Sequence, residues 1–163
     1  MQTSQRYVQL KTLILGLGNP IRGDDGVGLC VAQALKDKLD PSEVTVIGAS
    51  AAGLDILDLL AGYEKAIIID AIQSRKGKTG QIYRLEPEAF DATRHTATPH
   101  DVNFATALEL GRRLGLDLPK QITIFAIEVA EVSDFSEECT PAVRSAIPLC
   151  VALVLQELNR DRK

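Results

Sequence analysis

Five short runs rich in leucine and β-branched residues alternate with stretches of helical periodicity, and this alternation constrains the fold more than any other feature of the chain. The strand-like runs are KTLILGLG (Lys11–Gly18), EVTVIG (Glu43–Gly48), KAIIID (Lys65–Asp70), QIYRLE (Gln81–Glu86) and QITIFAIEV (Gln121–Val129). Three of them are almost unbroken apolar runs, the pattern of strands covered on both faces. Between them, Val27, Val31, Leu35 and Leu39 recur at four-residue spacing. Leu54, Leu57, Leu59 and Leu60 line a second, shorter helix, and Phe104, Leu108, Leu110 and Leu114 a third. A last helix is expected after Thr140 as N-cap, with Pro141 in its first turn, ending near Asn159. Pro148 should kink or divide it.

Alternating strands and helices imply an α/β fold, a three-layer α/β/α sandwich with a mostly parallel sheet. One connection breaks the pattern. Ala71 to Gly80 (AIQSRKGKTG) is polar, without helical periodicity, and short for a parallel crossover, so the fourth strand should run antiparallel to the rest. With 163 residues and no linker, repeat or low-complexity tract, residues 1–163 read as one domain.

A net charge of −4 and no basic block longer than SRKGK (Ser74–Lys78) argue against an electrostatic nucleic-acid partner. The low aromatic content, 4%, leaves few platforms for base stacking. The N-terminus has no signal-peptide core, and the longest apolar run, IPLCVALVL (Ile147–Leu155), is about half a membrane span, so the expected location is cytoplasmic, with no membrane partner. Cys30, Cys139 and Cys150 are odd in number and form no CxxC pair, which suggests neither a disulfide frame nor a thiolate zinc site. Cys30 and Cys150 read as small core hydrophobes.

The loop after the first strand, LGLGNPIRGDDGVG (Leu15–Gly28), stands where dinucleotide folds place a phosphate loop. The G-x-G-x-x-G fingerprint would need glycine where Ile21 stands, and no G-K-[ST] follows for a P-loop. GLGNP is also shared with peptidyl-tRNA hydrolases, but IRGDDGVG replaces the Tyr and Thr-Arg-His-Asn run expected there. The adjacent Asp24 and Asp25 would repel a phosphate and attract a cation. Asp24 reads as a cap on the first helix.

In an open α/β sheet, sites gather beyond the carboxyl ends of the strands. Asp25 follows strand one, Asp70 ends strand three, and His100 lies in TATPHDVNF just before the third helix. Two carboxylates and an imidazole suit zinc, nickel, manganese or iron, with coordination positions left open. His95, in the polar DATRHTATPH segment, reads as surface. A rival arrangement uses Ser50 in VIGASAAGL (Val46–Leu54), near a nucleophile elbow and in the order Ser50, Asp70, His100 of α/β-hydrolases. Its closing position is Ala52 rather than glycine, and Ser50 equally suits a turn or helix N-cap.

Taken in order, ILGLGNPIRGDDGVG, AIIIDAI, PHDVNFATALELG and FAIEVAEVSDFSEECTPAV resemble the hydrogenase maturation endopeptidases, which process the large subunit of nickel-iron hydrogenases. The resemblance covers nearly the whole chain. It implies a five-stranded sheet of order 2-1-3-5-4 and a processing protease that removes a C-terminal extension from the large-subunit precursor after nickel insertion. Nickel would be carried by the substrate, with no organic cofactor. The family's metal-contacting residues fall here on Asp25, Asp70 and His100, which the resemblance makes both the catalytic and the metal set. The partner implied is the hydrogenase large-subunit precursor, met by a monomer. Relatives often carry an acidic residue before a Gly-Thr-x-Gly turn after strand two; here that turn reads GASAAG, and Gly48 stands in the acidic place. That departure leaves open a non-catalytic metal-site binder or chaperone of the same fold.

Overall fold

The computed structural model describes residues 11–94, 103–130 and 135–160. Its five strands are β1 (Thr12–Leu17), β2 (Val44–Ala49), β3 (Lys65–Ile72), β4 (Ile82–Leu85) and β5 (Gln121–Glu128). The α-helices are α1 (Val27–Lys36), α2 (Asp55–Leu60), α3 (Pro87–Thr93), α4 (Phe104–Arg113) and α5 (Pro141–Arg160). The sheet runs β2-β1-β3-β5-β4, and only β4 is antiparallel to its neighbour. The expected architecture and the direction of the fourth strand are both observed.

The periodicity of β3 explains the layering. Ile67 and Ile69 face α1 and α5, while Ala66, Ile68 and Ile72 face α2, α3 and α4, and each set is buried in its own core. Asp70 shares the parity of Ile68 and Ile72, so it emerges on the α2–α4 side.

Several local expectations are corrected. Helix α3 was not expected: PEAFDAT is short, and only Pro87 and Phe90 are buried along it. Pro148 does not divide α5, which runs unbroken from Pro141 to Arg160, with Pro148 exposed and Val143, Ala146, Cys150, Val151 and Val154 buried. Helix α5 is long and apolar enough, by length and composition alone, to cross a membrane. Cys30 is exposed rather than buried, on the face of α1 away from the buried Val27, Val31 and Leu35. Cys150 is fully buried as expected. Leu54, Leu110 and Leu114 are exposed; Ile56 and Ala107 take inward places instead.

At the end of the sheet opposite the Asp70 carboxylate, Arg84 donates to both oxygens of Glu157 at 3.0 and 2.7 Å, and the buried Lys65 ammonium donates to the Glu157 carbonyl. The Arg84 hydrogen bonds hold the Glu157 carboxyl below its usual range.

Candidate functional site

The glycines of the first loop are packing devices. A Cβ on Gly16 would overlap the Gly28 carbonyl, and one on Gly28 would overlap the carbonyls of Leu17 and Ile69. Helix α1 therefore lies directly on β1 and β3, and a Cβ on Gly18 would overlap the Asp25 carbonyl in the same way. At Gly16, Gly18 and Gly28 the protein's own backbone fills the space, leaving none there for a partner chain.

Asp24 does not cap α1. It is buried, and its carboxylate accepts from the Thr140 amide at 2.6 Å and the Thr140 hydroxyl at 2.8 Å, 116 residues away. The Gly23 amide donates to the Ser136 carbonyl and the Ser136 amide to the Ile21 carbonyl, so the loop is stitched along its length to the approach to α5. The helix-end charge read from the sequence is used, but on the wrong helix: Asp24 sits at the N-terminus of α5. Asp24→Ala leaves the Thr140 amide and hydroxyl unpaired and should lower unfolding free energy by about 2 kcal/mol. Denaturant unfolding checks this, and Asp24→Asn should recover only part of the loss.

With Asp24 fixed, Asp25 is turned to the carboxyl ends of the strands. Its Oδ2 accepts from the Asn19 amide at 3.0 Å, and Asn19 in turn accepts from the Ile21 amide. Asp70 does not end β3, which runs on to Ile72 because Ala71 and Ile72 still pair with β5; from within the strand it accepts from the Ala71 amide at 2.8 Å. Burial pushes the Asp70 carboxyl from 3.8 up to about 7; the negative charge of Asp25 adds to the rise, while the Ala71 amide and Arg94 oppose it. Two of the three expected ligands are thus brought within electrostatic reach of each other. His100 and His95 lie outside the described residues.

Among the described residues no group of three His, Cys, Asp or Glu side chains is placed to hold an ion. A carboxyl such as Asp70, whose proton affinity is raised by burial and by the charge of Asp25, is nevertheless part of a donor set that a hard or borderline cation relieves.

Ser50 is exposed in the connection after the edge strand β2, with β1 between it and Asp70, and α2 is capped by Leu54 rather than Ser50. No triad is assembled among the described residues. Gly48 is also exposed, paired with Gly16 across the β1–β2 ladder.

Arg94 was not singled out from the sequence. It follows α3, stacks on the Phe90 ring at 5.5 Å from its centroid, and with Asp70 lines a cavity of about 100 Å³. Nothing in a polar segment beside a histidine marks one arginine as inward; only α3, itself unexpected, brings it there.

A sheet of this order, with Asp25 and Asp70 toward the carboxyl ends of its central strands and an apolar cavity beside Asp70, has the layout of an α/β enzyme whose site lies at the carboxyl end of the sheet. The model for hydrogenase maturation protease matches residues 29–157, and the chain belongs to that family of peptidases. It is 28% identical to the hydrogenase 2 maturation protease of Escherichia coli K12 over 154 residues, 93% of each chain. The structure of the hydrogenase maturating endopeptidase HybD from Escherichia coli superposes with a TM-score of 0.79 at 27% identity, covering 93% of this chain and 94% of that one. The maturation protease HycI from Thermococcus kodakarensis, at 20% identity, shares the fold with a TM-score of 0.69 over 94% and 96% of the two chains. The five-stranded order expected from the resemblance is therefore observed, and the protease class with it.

Proposed function

We propose that this protease removes a C-terminal extension from the precursor of a nickel-iron hydrogenase large subunit after nickel insertion, acting as a cytoplasmic monomer. Nickel is part of the substrate, and Asp25, Asp70 and His100 complete its coordination, so that the loaded metal site marks the bond to be cut. The observation that supports this most is the pairing of Asp25 with Asp70, where the charge of one raises the proton affinity of the other. Such a pair is unfavourable alone and favourable around a cation held by another chain.

In this reading Asp25 has one oxygen held by the Asn19 amide, and the other is the chain's base for a water that attacks the peptide carbonyl. Beside a cation held by the substrate, Asp70 would be favoured in its ionised form, its proton passing to solvent. Hydrolysis then adds the elements of water across the bond and releases the extension as a free amine.

The test is to incubate purified protein with nickel-loaded and nickel-free precursor and read the large-subunit mass. Loss of the extension with nickel alone is expected. Tight binding without mass loss overturns the reading in favour of a chaperone. His100→Gln should reduce processing by at least about 100-fold without unfolding the protein, and full processing by that variant would remove His100 from the site.

A further inference from the structure

The cavity beside Asp70 is lined by Leu17 and Ile68 of the sheet, Ile56 of α2, Phe90 of α3 and Phe104 of α4, with Ala51 at its β2 side, and is partly open to solvent. Its volume is about 100 Å³, against about 150 Å³ for an apolar cavity that accepts benzene. That is the room of a three- or four-carbon side chain, and less than an aromatic ring needs. Almost every wall is apolar. Its two charged groups, Asp70 and Arg94, have opposite signs and offset each other, so neither a basic nor an acidic side chain gains a net partner by entering.

One polar atom in this wall is unused. Arg94 Nε is buried and has no hydrogen-bond partner among the described residues. The nearest carboxylate does not supply one. Asp91 lies 3.9 Å from Arg94 Nη2, and its two oxygens already accept from the Phe104 and Ala105 amides at 3.0 and 2.8 Å, at the start of α4. A buried donor left free beside an apolar cavity matches a peptide, which presents a carbonyl next to each side chain.

Asp70 belongs to both the carboxylate pair and the cavity wall. Whatever side chain fills the cavity therefore has its backbone beside that pair, and its residue adjoins the bond being cut. Resting on the function proposed above, we infer that this cavity is a specificity pocket for a branched aliphatic residue flanking the scissile bond, with Arg94 Nε donating to a backbone carbonyl of that residue.

The experiment uses the nickel-loaded precursor. The cut site is mapped by product mass, and the aliphatic residue flanking it is then changed to alanine and to tryptophan. Alanine should lower kcat/KM about tenfold or more, because the pocket is left part empty, and tryptophan should lower it much further. Ala51→Leu fills the cavity and should invert the order of the native and alanine precursors. Phe104→Leu, a milder change than removal of the ring, should narrow the penalty for a larger residue. Arg94→Lys should lower kcat/KM on every precursor by one common factor without changing their order. A wild type that cuts no nickel-loaded precursor overturns both this pocket and the proposed function. A wild type that cuts all flanking variants equally, an unchanged order in Ala51→Leu, or a native site with charged or aromatic residues on both sides overturns the pocket alone.

Discussion

Asp70→Asn should abolish precursor processing while making the isolated protein more stable above neutral pH. The two effects have one cause. The Asp70 carboxyl stands at about 7 rather than 3.8, chiefly through burial and then through the charge of Asp25. The folded-state value lies above the unfolded one, so the protonated acid stabilises the fold fully below about pH 4, and that contribution is lost as pH rises through about 7. The gap between 3.8 and about 7 corresponds to about 4 kcal/mol at most. Asparagine keeps the shape and can still accept from the Ala71 amide, but carries no charge, so the loss with rising pH should disappear. Urea unfolding at pH 5 and pH 8 checks this: the wild type should be less stable at pH 8 by a few kcal/mol, and the variant nearly level. Processing should fall by at least about 10³-fold, since an anionic oxygen facing the substrate's metal is worth several kcal/mol. A variant that processes normally would remove Asp70 from the chemistry, and one that loses stability at pH 8 would contradict the environment assigned to its carboxyl.

Most of the fold was legible because it depends on local pattern. The unbroken apolar runs of β1, β3 and β5 announced a sheet covered on both faces, and the shortness of Ala71–Gly80 announced the reversal at β4. What escaped depends on partners far away in the chain. Asp24 looks like a cap for the helix that follows it, and only the folded chain brings Thr140 to its carboxylate. Phe90 and Arg94 carry no period, yet α3 sets them on the wall beside Asp70. Asp25 and Asp70 could be placed toward the carboxyl end of the sheet from the sequence because one follows the β1 run and the other lies near the end of the β3 run.

The glycine loop shows how one motif admits two physical readings with different consequences. Had Gly16 and Gly28 opened space for a partner, a methyl group there would weaken substrate binding and leave the fold intact. They are instead the crossing point of α1 with β1 and β3, where backbone meets backbone. A Cβ on Gly28 collides with the carbonyls of Leu17 and Ile69, and neither can move without breaking the ladders that join β1 and β3 to their neighbours. Gly28→Ala should therefore cost about 3 kcal/mol or more, at the upper end of overpacking, and Gly28→Val should prevent folding. Leu17 precedes the loop that carries Asp25, and Ile69 precedes Asp70, so the same displacement pushes the two carboxylates apart. Soluble Gly28→Ala protein should show lower stability by urea unfolding and a matched loss of processing. Gly53→Ala, in the connection between β2 and α2, where a Cβ meets nothing within 4 Å but φ is +59°, should cost only about 1 kcal/mol. Equal costs at the two positions would mean that backbone conformation, rather than the close approach of α1 to the sheet, is what selects glycine in this chain.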